Sequence, residues 1–106
     1  FLQCYKLKEV IIPESVTSIG VMAFSGCGQL ECITIPSRVT FIGYSAFISC
    51  DKLSTIYCKP ATPPSTTANL NINSSTKIYV PVGAGDAYRN ASFWSTYASM
   101  IEELEM

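Results

Sequence analysis

Few residues in this chain have chemistry to offer. Cysteines stand at Cys4, Cys27, Cys32, Cys50 and Cys58, and the 106 residues contain no histidine. Without histidine there is no Cys–His or Ser–His–Asp nucleophile, and the commonest metal ligand is missing. The thiols alone could form disulfides or a four-cysteine zinc site. Zinc needs ligand pairs that converge on one point. Cys4, Cys27 and Cys50 are spaced 23 residues apart, so they serve no such point, and no metal or cofactor is expected. Glu102, Glu103 and Glu105 are the only clustered carboxylates near an end. They read as a solvated acidic tail at a fraying terminus rather than a catalytic pair. No enzyme activity is expected.

The cysteine spacing leads to the elements that carry it. Phe1-Leu2-Gln3-Cys4, Phe24-Ser25-Gly26-Cys27 and Phe47-Ile48-Ser49-Cys50 recur at an interval of 23. Leu7, Leu30 and Leu53 follow at the same offset, as do Val10, Ile33 and Ile56. The copies 1–23 and 24–46 share ten identical residues. The unit reads Phe-x-x-Cys-x-x-Leu-x-x-Ile-x-Ile-Pro-x-x-Val-Thr-x-Ile-Gly-x-x-Ala. Ile33-Thr34-Ile35 alternates with period two, so it is a strand with one buried face, and Pro36 ends it. Val39-Thr40-Phe41-Ile42 is a second short strand. Gly43 is placed for a turn with positive φ. Ala46-Phe47 leads back through a single helical or 3₁₀ turn.

One such unit cannot close a core around its own strand. Stacked units can, because each rung adds about 4.8 Å and like side chains fall into ladders. The expected ladders are Phe1–Phe24–Phe47, Leu7–Leu30–Leu53 and Val10–Ile33–Ile56. Cys4, Cys27 and Cys50 then stack as buried free thiols. Parallel side chains on adjacent rungs oppose the dihedral a disulfide requires. Cys58 takes the inward place of Ile35. Cys32 lies on the opposite strand face and is the candidate reactive thiol.

The third copy departs after Ile56. Lys59-Pro60-Ala61-Thr62-Pro63-Pro64 reads as a stiff loop, with a polyproline ligand as the alternative. Ile78-Tyr79-Val80-Pro81 resembles Ile33-Thr34-Ile35-Pro36, so the loop should span one turn of the coil and return as a fourth rung. Asn73-Ser74-Ser75 and Asn90-Ala91-Ser92 match the N-glycosylation pattern and read as incidental. Gly83-Ala84-Gly85-Asp86 looks like a helix start. Ala87, Tyr88, Ala91 and Phe93 follow at helical spacing, with Trp94, Tyr97 and Ile101 adding bulk. The expected division is a solenoid over 1–81 (repeats 1–23, 24–46 and 47–77, last rung 78–81) and a helical cap over 82–106. The fold class is a β-dominated α/β solenoid of about four turns. No equivalent cap is expected at the N-terminal end. Val10, Ile12 and Val16 are expected at an open face, covered either by further upstream repeats or by a second copy in an end-to-end homodimer.

Composition narrows the partners. Seven Lys+Arg against eight Asp+Glu give a net charge of −1, which is no footprint for nucleic acid. Charged residues are only 14%, against roughly 25% in an average domain. No apolar run approaches the ~20 residues of a membrane span, so no membrane insertion is expected in this segment. The candidate binding face is the outward side of the strands: Glu9, Ile11, Thr34, Thr55, Tyr57 and Tyr79, with Cys32 among them. Tyr57 and Tyr79 on adjacent rungs offer amphipathic contact area at little entropic cost. The same residues also suit an ordinary solvated sheet face, where Tyr and Thr serve β-propensity.

The motif Ala-Phe-x-x-Cys-x-x-Leu-x-x-Ile-x-Ile-Pro-x-x-Val-Thr-x-Ile-Gly, complete at 23–43, resembles the BspA-like leucine-rich repeat of bacterial surface proteins, also called the Treponema pallidum type. The likeness is close over 1–58. The segment Ala61-Thr62-Pro63-Pro64 … Ile78-Tyr79-Val80-Pro81 … Ala87-Tyr88 … Trp94 is similar to the terminal segment of such proteins from gut Bacteroides. Pro36 stands where ordinary leucine-rich repeats begin an Asn ladder. The resemblance implies a right-handed leucine-rich-repeat solenoid in a secreted or surface-anchored protein. It also implies a non-catalytic role in adhesion, with a protein or glycan ligand on the concave face. A structural spacer with no ligand of its own is the alternative. The chain reads as a C-terminal fragment of a longer array.

Overall fold

The computed structural model describes residues 6–106. The strands are β1 (Glu9–Val10), β2 (Ser18–Ile19), β3 (Cys32–Ile35), β4 (Phe41–Ile42), β5 (Thr55–Cys58), β6 (Lys77–Val80) and β7 (Ile101–Glu103). Helix α1 covers Gly85–Asn90, and a 3₁₀ segment covers Ser95–Met100. Five strands form one sheet in the order β1-β3-β5-β6-β7, and every pair is parallel. The partners are Val10 with Ile33, Ile33 with Ile56 and Ile56 with Ile78. The offset is therefore 23, 23 and then 22, as the repeat spacing requires. β2 and β4 form a second parallel pair. The result is a repeat fold with a parallel sheet.

The core follows from the alternation. β3 and β5 each bury every second residue: Ile33 and Ile35, then Ile56 and Cys58. Phe24 and Phe47 stack with ring centroids 6.0 Å apart and planes 4° apart. The expected Phe1 and Cys4 ladder members lie outside the described residues. Leu30 and Leu53 are buried, while Leu7 is half-buried.

Turns between the rungs repeat as faithfully as the strands. Positive φ recurs at Met22 and Ser45, and again at Gly26 and Ser49. A left-handed residue other than glycine carries strain, so its return one unit later marks it as part of the repeat. Gly43 differs from expectation, because it is not among the positive-φ glycines. Close approach explains it instead. A Cβ there would lie 2.3 Å from the Val21 backbone nitrogen of the rung before.

The proline loop follows the coil. Ser65 bridges Phe41 in parallel, its N–H donating to Thr40 O and its own O accepting from Ile42 N. Phe47 N donates to Leu70 O. Leu70, Asn73 and Thr76 lie 23 residues after Phe47, Cys50 and Leu53. Leu70 is fully buried. Asn73 Nδ2 donates to Cys50 O and Leu53 O, and Thr76 Oγ1 donates to Leu53 O at 2.7 Å.

Residues 82–106 hold more than helix. Gly85 and Tyr88 of α1 face the core. Phe93, expected at helical spacing, is exposed and has φ of 68°. Ile101, Glu102 and Glu103 are not a free tail: they form β7 and pair with Ile78, Tyr79 and Val80. No helix among the described residues is long and apolar enough to cross a membrane.

Candidate functional site

The sheet fixes which side chains share its outward face. Glu9, Cys32, Thr55 and Lys77 lie in register on successive strands. Thr34, Tyr57, Tyr79 and Glu102 form the next row. Cys32, Thr34, Thr55, Tyr57 and Tyr79 are half-buried, while Glu9 and Lys77 are exposed. The sheet thus brings together five of the six expected face residues, with Cys32 beside them. Ile11 is the exception. β1 ends at Val10, and Ile11 beyond it is 86% exposed. It joins Ile12, Pro13, Val16 and Ala23 around an apolar cleft beside β1. Val10, expected at the open face, is buried, while Ile12 and Val16 are half-buried.

Tyr57 and Tyr79 dominate the face. Their rings stack with centroids 5.6 Å apart and planes 19° apart. Two residues that the sequence reading did not place on the face complete their surroundings: Lys77, which it did not single out, and Glu102, which it read as acidic tail. Lys77 Nζ donates to Glu102 Oε2 in a surface ion pair, and this contact raises the lysine pKa. The signal for Lys77 was available, since it precedes Ile78 in the alternating strand. Exposed pairs of this kind contribute little stability. Their effect is to neutralise that end of the face.

The thiols divide by burial. Cys27, Cys50 and Cys58 are buried, while Cys32 is half-buried, and Cys32, Cys50 and Cys58 are free thiols. Cys50 Sγ donates to Phe24 O at 3.0 Å. Burial, with Cys27 nearby, pushes the Cys50 thiol up to about 11. Burial alone drives the Cys58 thiol further in the same direction. Among the described residues Cys32 is the thiol that is not buried, but its pKa is also raised, first by burial and then by the charges of Glu9 and Glu31. It therefore carries less thiolate at neutral pH than a free cysteine, and reacts more slowly.

The remaining motifs are absorbed by the architecture. Pro60 and Pro64 are buried, and their carbonyls accept from Tyr88 Oη at 2.7 Å and Trp94 Nε1 at 2.9 Å. A loop pinned at both prolines is not presented as a polyproline ligand. Asn73 Nδ2 is committed to two backbone carbonyls, and Asn90 Nδ2 donates to Asp86 O. Neither amide is free for glycan attachment in the folded chain. Among the described residues no group of three or more His, Cys, Asp or Glu could hold a metal ion.

Comparison with known proteins agrees with the repeat. A family model described as the BspA type leucine rich repeat region matches residues 1–93, in six copies. No curated protein matches the chain.

Proposed function

The chain belongs to the BspA type leucine-rich repeat family, and from that premise we propose that it is a non-catalytic adhesion module of a secreted or surface-anchored bacterial protein. Repeats of this family serve protein interaction. In this reading the solenoid makes about four turns and 82–106 is its cap. The outward strand face is the contact surface. One observation carries the reading: Tyr57 and Tyr79 are stacked, half-exposed and held on a rigid parallel sheet. A preformed surface loses little entropy on binding. A protein ligand is the leading reading and a glycan the alternative.

The test is binding to an array of host-cell and matrix proteins. Tyr57→Ala with Tyr79→Ala should abolish the parent's binding and shift the melting temperature by no more than about 4 °C, since half-exposed side chains contribute modestly. Undiminished binding by the double variant refutes the face. No binding by the parent favours the spacer.

The apolar cleft beside β1 supports a second element of the proposal, end-to-end pairing of two copies. Exposed apolar surface of this kind favours association. Sedimentation equilibrium should give a doubled mass that Ile11→Lys returns to the monomer value. A monomer throughout the accessible concentration range refutes pairing.

A further inference from the structure

The tyrosine stack ends in a step. Tyr79 covers one face of the Tyr57 ring. On the other side the in-register neighbour of Tyr57 is Thr34. A threonine side chain stops at the γ position and is too short to cover a phenol ring. The outer face of Tyr57 is therefore open above the β3 rung.

A carboxylate reaches the same rung from the other direction. Glu9 Oε2 lies 4.0 Å from Cys32 Sγ, so the Glu9 side chain leans from β1 across to β3. Cys32 and Thr34 point to one side of β3, about 6.6 Å apart along the strand. Glu31 adds a second negative charge close enough to act on the Cys32 thiol. Lys8 lies one rung away, its carbonyl accepting from Glu31 N, and the corner keeps one net negative charge. Lys77 is two rungs from β3 and already paired with Glu102.

An open ring face beside a carboxylate calls for a flat cation. Guanidinium is planar and weakly hydrated. It stacks on an aromatic face while the N–H groups of its edge bond a carboxylate. An ammonium sits over a ring without a flat face to stack, and a neutral sugar can donate hydroxyls to Glu9 but lacks the ion-pair attraction. We propose that the step over Thr34 seats an arginine side chain of a partner protein, stacked on the outer face of Tyr57 and hydrogen-bonded at its edge to Glu9. This rests on reading the strand face as a contact surface, and it assigns that surface a partner chemistry.

The probe is N-acetyl-arginine amide, titrated into the whole chain and followed by backbone amide shifts. N-acetyl-citrulline amide has the same shape without the charge, and methyl glucoside stands for a glycan. Saturable shifts at Cys32, Thr34 and Tyr57 are expected with arginine only. Glu9→Gln should weaken the arginine affinity about threefold to fivefold, and Tyr57→Ala by a similar factor. Thr34→Arg fills the seat with a guanidinium of the chain itself while leaving Tyr57 and Glu9 in place. It should abolish binding with the melting temperature kept or raised. Equal shifts with citrulline, saturation by the glucoside instead, or parental arginine binding by Thr34→Arg would each overturn the seat. The array binding above separates the two claims. If Tyr57→Ala with Tyr79→Ala loses it while Glu9→Gln and Thr34→Arg keep it, the face stands and the arginine seat falls. If the double variant keeps it, both fall.

Discussion

Phe47→Ala should destabilise the chain by about 3–5 kcal/mol, the range for emptying a buried aromatic site. The position explains the size. Phe47 is 1% exposed, its ring lies on Phe24 and its backbone N–H donates to Leu70 O. Among the described residues its ladder runs Phe24, Phe47, Leu70, and the cavity would open in the middle rung. In a stacked array each unit is stable only through its neighbours. Loss of a central contact therefore weakens both sides at once. Against the 5–15 kcal/mol of a typical domain, this is a large fraction of the whole. In urea the midpoint should fall by about 2 M for a slope near 2 kcal/mol/M. Phe47→Leu keeps most of the volume and should cost less than half as much. A loss below about 1 kcal/mol for Phe47→Ala would mean that the rungs do not depend on one another.

The ladder was legible because its members are apolar and evenly spaced. Phe24 and Phe47, Leu30 and Leu53, and Ile33 and Ile56 could be read from the interval of 23, and the register follows it. The next rung was only half legible. Its strand Ile78-Tyr79-Val80 showed, but Leu70-x-x-Asn73-x-x-Thr76 did not, because two of its three residues are polar. The structure shows why polar residues fit there. Cys50 Sγ donates to Phe24 O, Asn73 Nδ2 donates to Cys50 O, and Thr76 Oγ1 donates to Leu53 O. The Cys and Leu positions of a rung lie beside carbonyls of the rung before, so a donor serves as well as an apolar group. Sequence matching sees residue type and misses this equivalence.

Of the candidate face, Thr34, Thr55, Tyr57 and Tyr79 were placed by alternation alone. Lys77 and Glu102 were not, and β7 accounts for Glu102. A stretch as acidic as Glu102-Glu103 reads as solvent-facing tail. Ile101 nevertheless lies 23 residues after Ile78 and pairs with it, so the interval of the repeat extends one strand beyond its motif. Ile11 went the other way. Alternation put it on the face, but β1 ends at Val10 and the following residues turn toward the cleft.

Trp94→Ala should have an effect as large as Phe47→Ala, and a different pattern. Trp94 is 1% exposed and meets Tyr88 edge-on, with ring centroids 5.1 Å apart and planes at 86°. Its Nε1 holds Pro64 O, and Tyr88 Oη holds Pro60 O. These two rings are the pegs that fix the proline loop onto the coil. Removing the indole should cost about 3–5 kcal/mol for the cavity. The orphaned Pro64 carbonyl adds about 1–3 kcal/mol if it stays dry. Trp94→Phe keeps an aromatic ring and loses only the donor, so it should cost mainly the second part. Tyr88→Phe removes the other peg's donor at a similar cost. The pattern should appear in hydrogen exchange. Ser65 N and Ile42 N, bonded to Thr40 O and Ser65 O, join the loop to the β2–β4 side. They should lose protection in Trp94→Ala before the β3–β5 amides do, because the loop opens as a unit of its own. If Ser65 and the β3–β5 amides instead lose protection together, the pegs hold the whole coil, and the loop is as integral to the core as any strand.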